Sequence, residues 1–285
     1  MNSSRAEFPV VNYDLAATLA SGQAFRWRET AAGWTGVVAG RWVRLRGEPG
    51  RIVAETAEPV ADWHWLRHYL QLDLNLPQVL AAFPREDDAL QTAVRACPGL
   101  RLLRQEPWEC LASFICSSTK QIVQIQQIIA LLSERFGAPV PVPDGQPAAW
   151  SFPDYSRLAG ASENDLRECK LGFRAPYLRA TAQKLATGEA DLARLHSLPL
   201  DQARAELLQF PGVGAKIADC VLLFAYDFPA AFPVDVWITK ALRRHYFPRR
   251  TIKPEKLRRF IRGHFGPHAG YAQQYLFHYI RVKEG

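Results

Sequence analysis

Two side chains in the C-terminal half of this chain have types and spacing suited to covalent chemistry: the amine of Lys216 and the carboxylate of Asp235, 19 residues further on. Lys216 closes the run Phe210-Pro211-Gly212-Val213-Gly214-Ala215. In the first turn of a helix the dipole disfavours an ammonium, and partial burial among Phe210, Ile217 and Leu222 adds to the effect, so the amine becomes a usable nucleophile. The simpler use for such a lysine is to touch a phosphate. Asp235 follows Phe232-Pro233-Val234 and is expected to cap a helix over 235–247, which would by itself account for an aspartate there. One short helix and a return loop can, however, set that cap beside the lysine. An amine and a carboxylate around one sugar suit cleavage at an anomeric carbon. The carboxylate stabilises the oxocarbenium-like charge as an N-glycosidic bond breaks, and the amine captures C1′.

The stretch that must position this pair is a turn between two helices. Asp201 onward reads as an N-cap followed by apolar residues at helical spacing over 200–209, and 215–226 reads as a second, more apolar helix. Pro211 stops the first, while Gly212 and Gly214 leave the backbone bare. The spacing predicts a helix-hairpin-helix whose unpaired amides face outward at the positive end of the second helix, where a phosphate oxygen fits. A plain helix–helix corner is the competing reading, but it needs neither the two glycines nor the lysine.

Around this stretch the chain is mostly helical. Helices are expected over 86–96, 107–117, 119–136, 163–171, 176–187, 200–209, 215–226, 235–247, 254–264 and 269–282, with a proline-rich loop at 137–153. Residues 24–56 alternate polar and apolar in short runs, Phe25–Trp27, Trp34–Val38, Trp42–Leu45 and Ile52–Ala54, which predict an antiparallel meander. A helical pattern begins at Asp62, and 69–77 reads as a linker. The fold class is α+β: a small N-terminal antiparallel β-sheet domain over 1–85, then an all-α helix-hairpin-helix core over 86–285. Glu106 to Ser118 reads as a buried helix ending in small polar residues, and Arg174 falls on a loop between two helices.

Composition sets outer limits. With 285 residues, 48% hydrophobic and 22% charged, the chain is an ordinary globular protein, and 35 Lys and Arg against 28 Asp and Glu give a mild lean toward polyanions. Five scattered cysteines are an odd number and do not form a disulfide framework, which points to a reducing compartment. The first residues lack the apolar core of a signal peptide, and no apolar run is long enough to span a bilayer. The expected location is the cytoplasm. His64 and His68 share a helix face, but no further ligand accompanies them at metal-site spacing, so no metal is expected.

The blocks Leu208–Cys220 and Pro233–Val236 resemble the helix-hairpin-helix Gly/Pro…Asp superfamily of DNA glycosylases, specifically the 8-oxoguanine DNA glycosylases. Ser21–Trp27, Tyr69–Asp73, Pro107–Ser118, Leu171–Tyr177 and Ala269–Phe277 resemble that family in the same order, so the likeness runs from about residue 8 to the end. The resemblance implies base excision followed by β-elimination, with Lys216 as nucleophile and Schiff-base former and Asp235 assisting. It implies a flipped base stacked between Cys220 and Phe277, read on its pairing edge by Gln273 and at N7–H by the Gly22 carbonyl. Gly212 and Gly214 would meet DNA phosphate, and Arg174 would reach the orphaned opposite base. Thr119 stands where the family has a wedge asparagine, Gln124 where it has a second opposite-base arginine, and Trp237 where the eukaryotic pattern has a phosphate-binding histidine. These departures imply relaxed opposite-base selectivity.

The implied partner is double-stranded DNA containing oxidised guanine, met by a monomer without cofactor, near the nucleoid in a bacterial cell. The iron–sulfur cluster of other superfamily members is excluded by ligand count, since no cysteine follows Cys220. Two other functions fit parts of the pattern. A monofunctional alkylpurine glycosylase needs the aspartate but not Lys216, and a non-catalytic DNA-binding module would use Lys216 for phosphate and Asp235 as a cap.

Overall fold

The computed structural model describes residues 3–248 and 252–284. Alternating apolar residues build an N-terminal antiparallel sheet from β1 (Ser4–Pro9), β2 (Arg28–Thr30), β3 (Gly33–Val38), β4 (Arg41–Glu48) and β5 (Arg51–Thr56), in the order β1-β5-β4-β3-β2. The register sets Leu45 opposite Ala54 and Phe8 opposite Ile52, so these four side chains share one face. Helices α1 (Leu15–Ala20) and α2 (His64–Leu70) cover that face through Leu15, Leu19, Leu66 and Leu70. The expected meander is present, but it lacked β1, which pairs with β5 from Ser4↔Thr56 to Pro9↔Arg51. Phe25–Trp27 is not a strand. Trp27 turns inward, 2% exposed, and its indole N–H donates to the Tyr69 hydroxyl at 2.8 Å. Nor is 69–77 a plain linker, since α2 ends at Gln71 with φ +53° and Asn75 caps α3 (Leu76–Ala81).

The remaining helices are α4 (Asp88–Ala96), α5 (Pro107–Cys116), α6 (Ile122–Phe136), α7 (Tyr155–Gly160), α8 (Glu163–Glu168), α9 (Ala175–Ala186), α10 (Leu200–Leu207), α11 (Ala215–Ala225), α12 (Val236–His245), α13 (Pro254–Phe265) and α14 (Ala269–Glu284). α7 was not among the expected helices, and two further helices and one loop differ from expectation for local reasons. α6 starts at Ile122 rather than at 119, because Thr119 takes the left-handed conformation (φ +56°). The cap of α10 is Pro199, and Asp201 sits inside the first turn, paired with Arg204. The 137–153 loop contains a two-stranded sheet, β6 (Pro139–Val140) and β7 (Ala149–Trp150).

α5 and α11 form the centre of the helical core. Eight residues of each are buried, which leaves only the first turns in reach of solvent. They run antiparallel: Lys216 at the start of α11 meets Ser117 at the end of α5, and at the other end the Gln105 N–H donates to the Phe224 carbonyl at 2.8 Å. Burial of each large apolar side chain here contributes about 1.5–3 kcal/mol. This antiparallel pair is what carries the start of α11 to the molecular surface beside the tail of α5.

Candidate active site

The turn between α10 and α11 is built against α9. Gly212 has φ +76°, and a Cβ placed on it would lie 2.9 Å from three atoms of Tyr177, so both conformation and space demand glycine. The Thr181 hydroxyl, also on α9, donates to the Pro211 carbonyl at 3.4 Å. Gly214 differs: it caps α11 in extended backbone and has nothing within 4 Å of its Cβ position. The first amides of α11 therefore face open solvent, as an anion requires. Across the hairpin the Arg204 guanidinium on α10 donates to the Asp219 carboxylate on α11 at 2.7 Å, clamping the two helices. Burial raises the Asp219 carboxyl above its ordinary value, with Arg204 pulling it back.

The Lys216 side chain crosses to α5, where Nζ donates to Ser117 Oγ at 3.1 Å and lies 5.0 Å from the centre of the Phe114 ring. The Ser117 hydroxyl spends its own proton on the Phe114 carbonyl at 2.7 Å, which turns its lone pairs toward the amine. Phe114 is in turn fixed by stacking on Phe224 at 5.7 Å and by the edge of Phe25 at 5.4 Å. Neither Ser117 nor Phe114 stood out in the sequence as a partner of Lys216. The small polar end of α5 was the one available signal for Ser117, and Phe114 gave none.

Asp235 caps α12, its Oδ1 accepting the Ile238 N–H at 2.8 Å. Burial raises its carboxyl above the usual value, while the Ile238 amide and the charge of Lys216 pull it down, which puts the amine and carboxylate in one electrostatic neighbourhood. Cys220, one turn along α11 from Lys216, is 4% exposed, and burial pushes its thiol up to about 12. It is a neutral thiol, apolar enough to lie against a ring.

A second group forms where the N-terminal part meets α14. Gly22 has φ +78°, and its Cβ position is 2.7 Å from Ile122 Cδ1 and 3.5 Å from the Phe277 ring, so this glycine, Phe277 and the start of α6 converge. The turn is pinned from behind. The Gln274 amide donates to the Ser21 carbonyl at 3.1 Å, and fully buried Gln23 donates to the Thr18 and Arg101 carbonyls and accepts the Leu103 N–H. Gln23 is a structural staple that the sequence reading passed over. On α14, Gln273 is one turn before Phe277; it is 3% exposed, and its Oε1 has no hydrogen-bond partner among the described residues.

Arg174 is placed otherwise than a free reader of bases. It is 2% exposed, donates to Thr119 Oγ1 at 2.6 Å and to the Ser118 and Leu171 carbonyls, and lies over Phe173 at 4.2 Å. The guanidinium thus holds the left-handed Thr119 turn in place. Phe173, 57% exposed beside it, is an aromatic surface absent from the sequence reading. Gln124 is exposed on the first turn of α6, its Oε1 accepting the Gln121 N–H at 3.1 Å. Trp237 lies on the first turn of α12 with the Lys240 ammonium 5.6 Å from its ring.

A glycine hairpin before a lysine-bearing helix, a capping aspartate on the next helix, and an antiparallel sheet ahead of the helical core define a helix-hairpin-helix base-excision repair fold. The family model described as HhH-GPD superfamily base excision DNA repair protein matches residues 112–267, and the model of the 8-oxoguanine DNA glycosylase N-terminal domain matches residues 5–111. The chain belongs to the 8-oxoguanine DNA glycosylase family. It is 31% identical over 281 residues to the N-glycosylase/DNA lyase OGG1 of Arabidopsis thaliana, covering 92% of this chain and 76% of that one. It is 32% identical to the probable N-glycosylase/DNA lyase of Methanothermobacter thermautotrophicus, covering 96% and 95%. The Clostridium acetobutylicum 8-oxoguanine glycosylase/lyase, solved with double-stranded DNA containing cytosine opposite 8-oxoguanine, superposes with a TM-score of 0.88 at 32% identity, over 96% of this chain and 93% of that one. Among the described residues no helix is long and apolar enough to cross a membrane.

Proposed function

We propose that this chain removes 8-oxoguanine from double-stranded DNA and then nicks the abasic strand through a lysine Schiff base, acting as one copy in the cytoplasm. The observation that carries the proposal is the amine of Lys216, at the mouth of the hairpin, held by Ser117 Oγ and within the field of Asp235. The hairpin backbone at Gly212 and Gly214, with the open amides of the first turn of α11, takes the phosphate of the extruded nucleotide and delivers its sugar to this pair. Nζ bonds to C1′ as the C1′–N9 bond breaks, and the base leaves with the bonding electrons and takes up a proton. The Asp235 carboxylate stabilises positive charge at the sugar as it develops. The proton lost from nitrogen is taken up at O4′ as the C1′–O4′ bond breaks toward oxygen, which opens the sugar and leaves an iminium between C1′ and Nζ that acidifies C2′. Removal of the C2′ proton then expels the 3′ phosphate and breaks the strand.

Base recognition belongs to the second group. The buried Gln273 Oε1, without a partner among the described residues, is an acceptor waiting for a donor, and the pairing edge of a guanine supplies N1–H and N2–H. Phe277 and the neutral Cys220 thiol offer the two faces of a slot. The Gly22 carbonyl accepts the N7 proton that 8-oxoguanine has and guanine lacks. The base would thus be held between the sheet domain over 1–85 and the helical domain over 86–285. Arg174 and Thr119 serve the opposite strand as one unit, with Gln124 and Phe173 flanking them.

The test is borohydride trapping on an 8-oxoguanine duplex. The unmodified chain should form a covalent adduct and a nicked strand, whereas Lys216→Gln should bind the duplex and form neither. Cleavage retained by Lys216→Gln would sink the nucleophile. Base release without any adduct from the unmodified chain would favour a monofunctional glycosylase.

A further inference from the structure

The charge of this chain is concentrated in one place. Residues 236–264 contain ten of its 35 Lys and Arg but one of its 28 acids, Glu255, a net charge of +9. The rest of the chain is net −2. Within that span α12 and α13 both expose cations, and on α13 Arg258, Arg259 and Arg262, with Lys256 and the N-cap Lys253, are all exposed, while Ile261 and Phe265 anchor the opposite side in the core. Lys253, Lys256, Arg258 and Arg259 have no ion-pair partner among the described residues. Arg262, 81% exposed, has only a long pairing with Asp201 at 3.9 Å. Such a face is held apart by self-repulsion and gains most from a polyanion.

Its location says which polyanion. Pro254, Leu257, Arg258 and Arg262 share a cleft of about 250 Å³ with Ala215, Lys216 and Asp219, so the basic face is continuous with the mouth of the hairpin helix. Arg258 is close enough to Asp219 to lower its carboxyl, and the Arg262–Asp201 pairing reaches the first turn of α10. Whatever lies along the hairpin amides therefore extends over α13. A twelve-residue helix is about 18 Å long and runs beside about ten backbone charges of a duplex.

We propose that α13 is a second, sequence-blind DNA contact that grips phosphates of the duplex flanking the lesion, outside the footprint of the hairpin. The inference rests on the reading of the chain as a DNA glycosylase for the identity of the polyanion. It makes α13 the source of non-specific affinity and of most of its salt dependence, and it leaves the chemistry to Lys216 and Asp235. The cations project from a helix whose inner face is packed, so neutralising them leaves the fold intact.

The experiment measures duplex binding by fluorescence anisotropy across a series of KCl concentrations, with undamaged and 8-oxoguanine duplexes, for Lys256→Gln/Arg259→Gln and for Glu255→Lys. Each neutralised phosphate contact contributes about −0.9 to the slope of log K against log salt. The double variant should flatten the slope by about 1.8 and weaken both duplexes by the same factor, and Glu255→Lys should steepen it by about 0.9. Single-turnover excision at saturating enzyme should stay within about twofold for both. An unchanged slope in the two variants, or a loss confined to the damaged duplex, overturns the proposal. Failure of the glycosylase reading would show separately, as cleavage by Lys216→Gln with the slopes still altered.

Discussion

The two glycines of the hairpin offer a direct separation of fold from function, because the structure gives them opposite surroundings. Gly212→Ala forces an L side chain to φ +76°, which costs about 1–2 kcal/mol, and drives its Cβ to 2.9 Å from the Tyr177 side chain, which adds about 1–3 kcal/mol of overpacking. The expected loss of stability is about 2–5 kcal/mol, or on the order of 5–15 °C in melting temperature for a chain of this size. Gly214→Ala meets neither penalty: its backbone is extended and its Cβ position is open. As a helix cap, alanine is worse than glycine by about 0.5–1 kcal/mol, so the fold should be little affected. The added methyl, however, stands where a phosphate must approach the first amides of α11. Duplex affinity should fall about tenfold, near 1.4 kcal/mol. The assay pairs thermal melting with anisotropy titrations of both variants. If Gly214→Ala binds duplex as tightly as the unmodified chain, the hairpin amides are not the phosphate site. If Gly212→Ala melts at the unmodified temperature, the argument from Tyr177 is wrong.

Four further outcomes are expected. Asp235→Asn keeps a capping side chain, so stability should change by about 1 kcal/mol or less, yet single-turnover excision should fall at least about a hundredfold; a parallel small loss in both would make Asp235 only a cap. Since burial raises the Asp235 carboxyl, excision should decline as pH drops through a value above that of an ordinary aspartate, and a flat profile there would count against the role. Burial also pushes Glu109 up to about 7, against the pull of Arg26 3.8 Å away. The folded state then holds a proton that the unfolded state has already lost, so stability falls as pH rises from about 4.5 to about 7. Glu109→Gln should therefore be more stable than the unmodified chain at pH 8 by about 1–2 kcal/mol and equal to it at pH 4, measured by urea melts; a less stable variant at pH 8 would refute the sign. Finally, excision opposite the four bases should differ by about tenfold or less, and Gln124→Arg should sharpen the preference for cytosine while losing the Gln121 cap contact, at a cost of about 1 kcal/mol or less. A cytosine preference near a thousandfold in the unmodified chain would show that Arg174 and the Thr119 turn suffice alone.

What the sequence determined by itself was whatever is local in the chain. Pro211-Gly212-Val213-Gly214 ends one helix and starts another wherever it occurs, and the 3.6-residue pattern marked α4, α5, α9, α11, α12, α13 and α14 within a few residues, because cap and breaker residues act on their immediate neighbours. The same holds for the alternation that announced β3, β4 and β5. β1 was invisible because its identity lies in a pairing with β5 some fifty residues away, and Phe25–Trp27 was misread because the pull on Trp27 comes from Tyr69. The charge bias of 236–264 was present in the letters, but only the fold shows that it lines the same cleft as Lys216.

At the candidate site the division is the same. Residue types named Lys216 and Asp235, and spacing placed them at helix starts, while Gln273 was named only through the family resemblance. The direction of a long side chain is set by which neighbours leave room for it, and no pattern along the chain encodes that. Only the antiparallel packing of α11 on α5 turns Lys216 toward Ser117 and Phe114, and only the fold brings the left-handed Thr119 turn within reach of Arg174. Local sequence fixes where a group begins, and the close packing of helices distant in sequence fixes where its reactive atom ends.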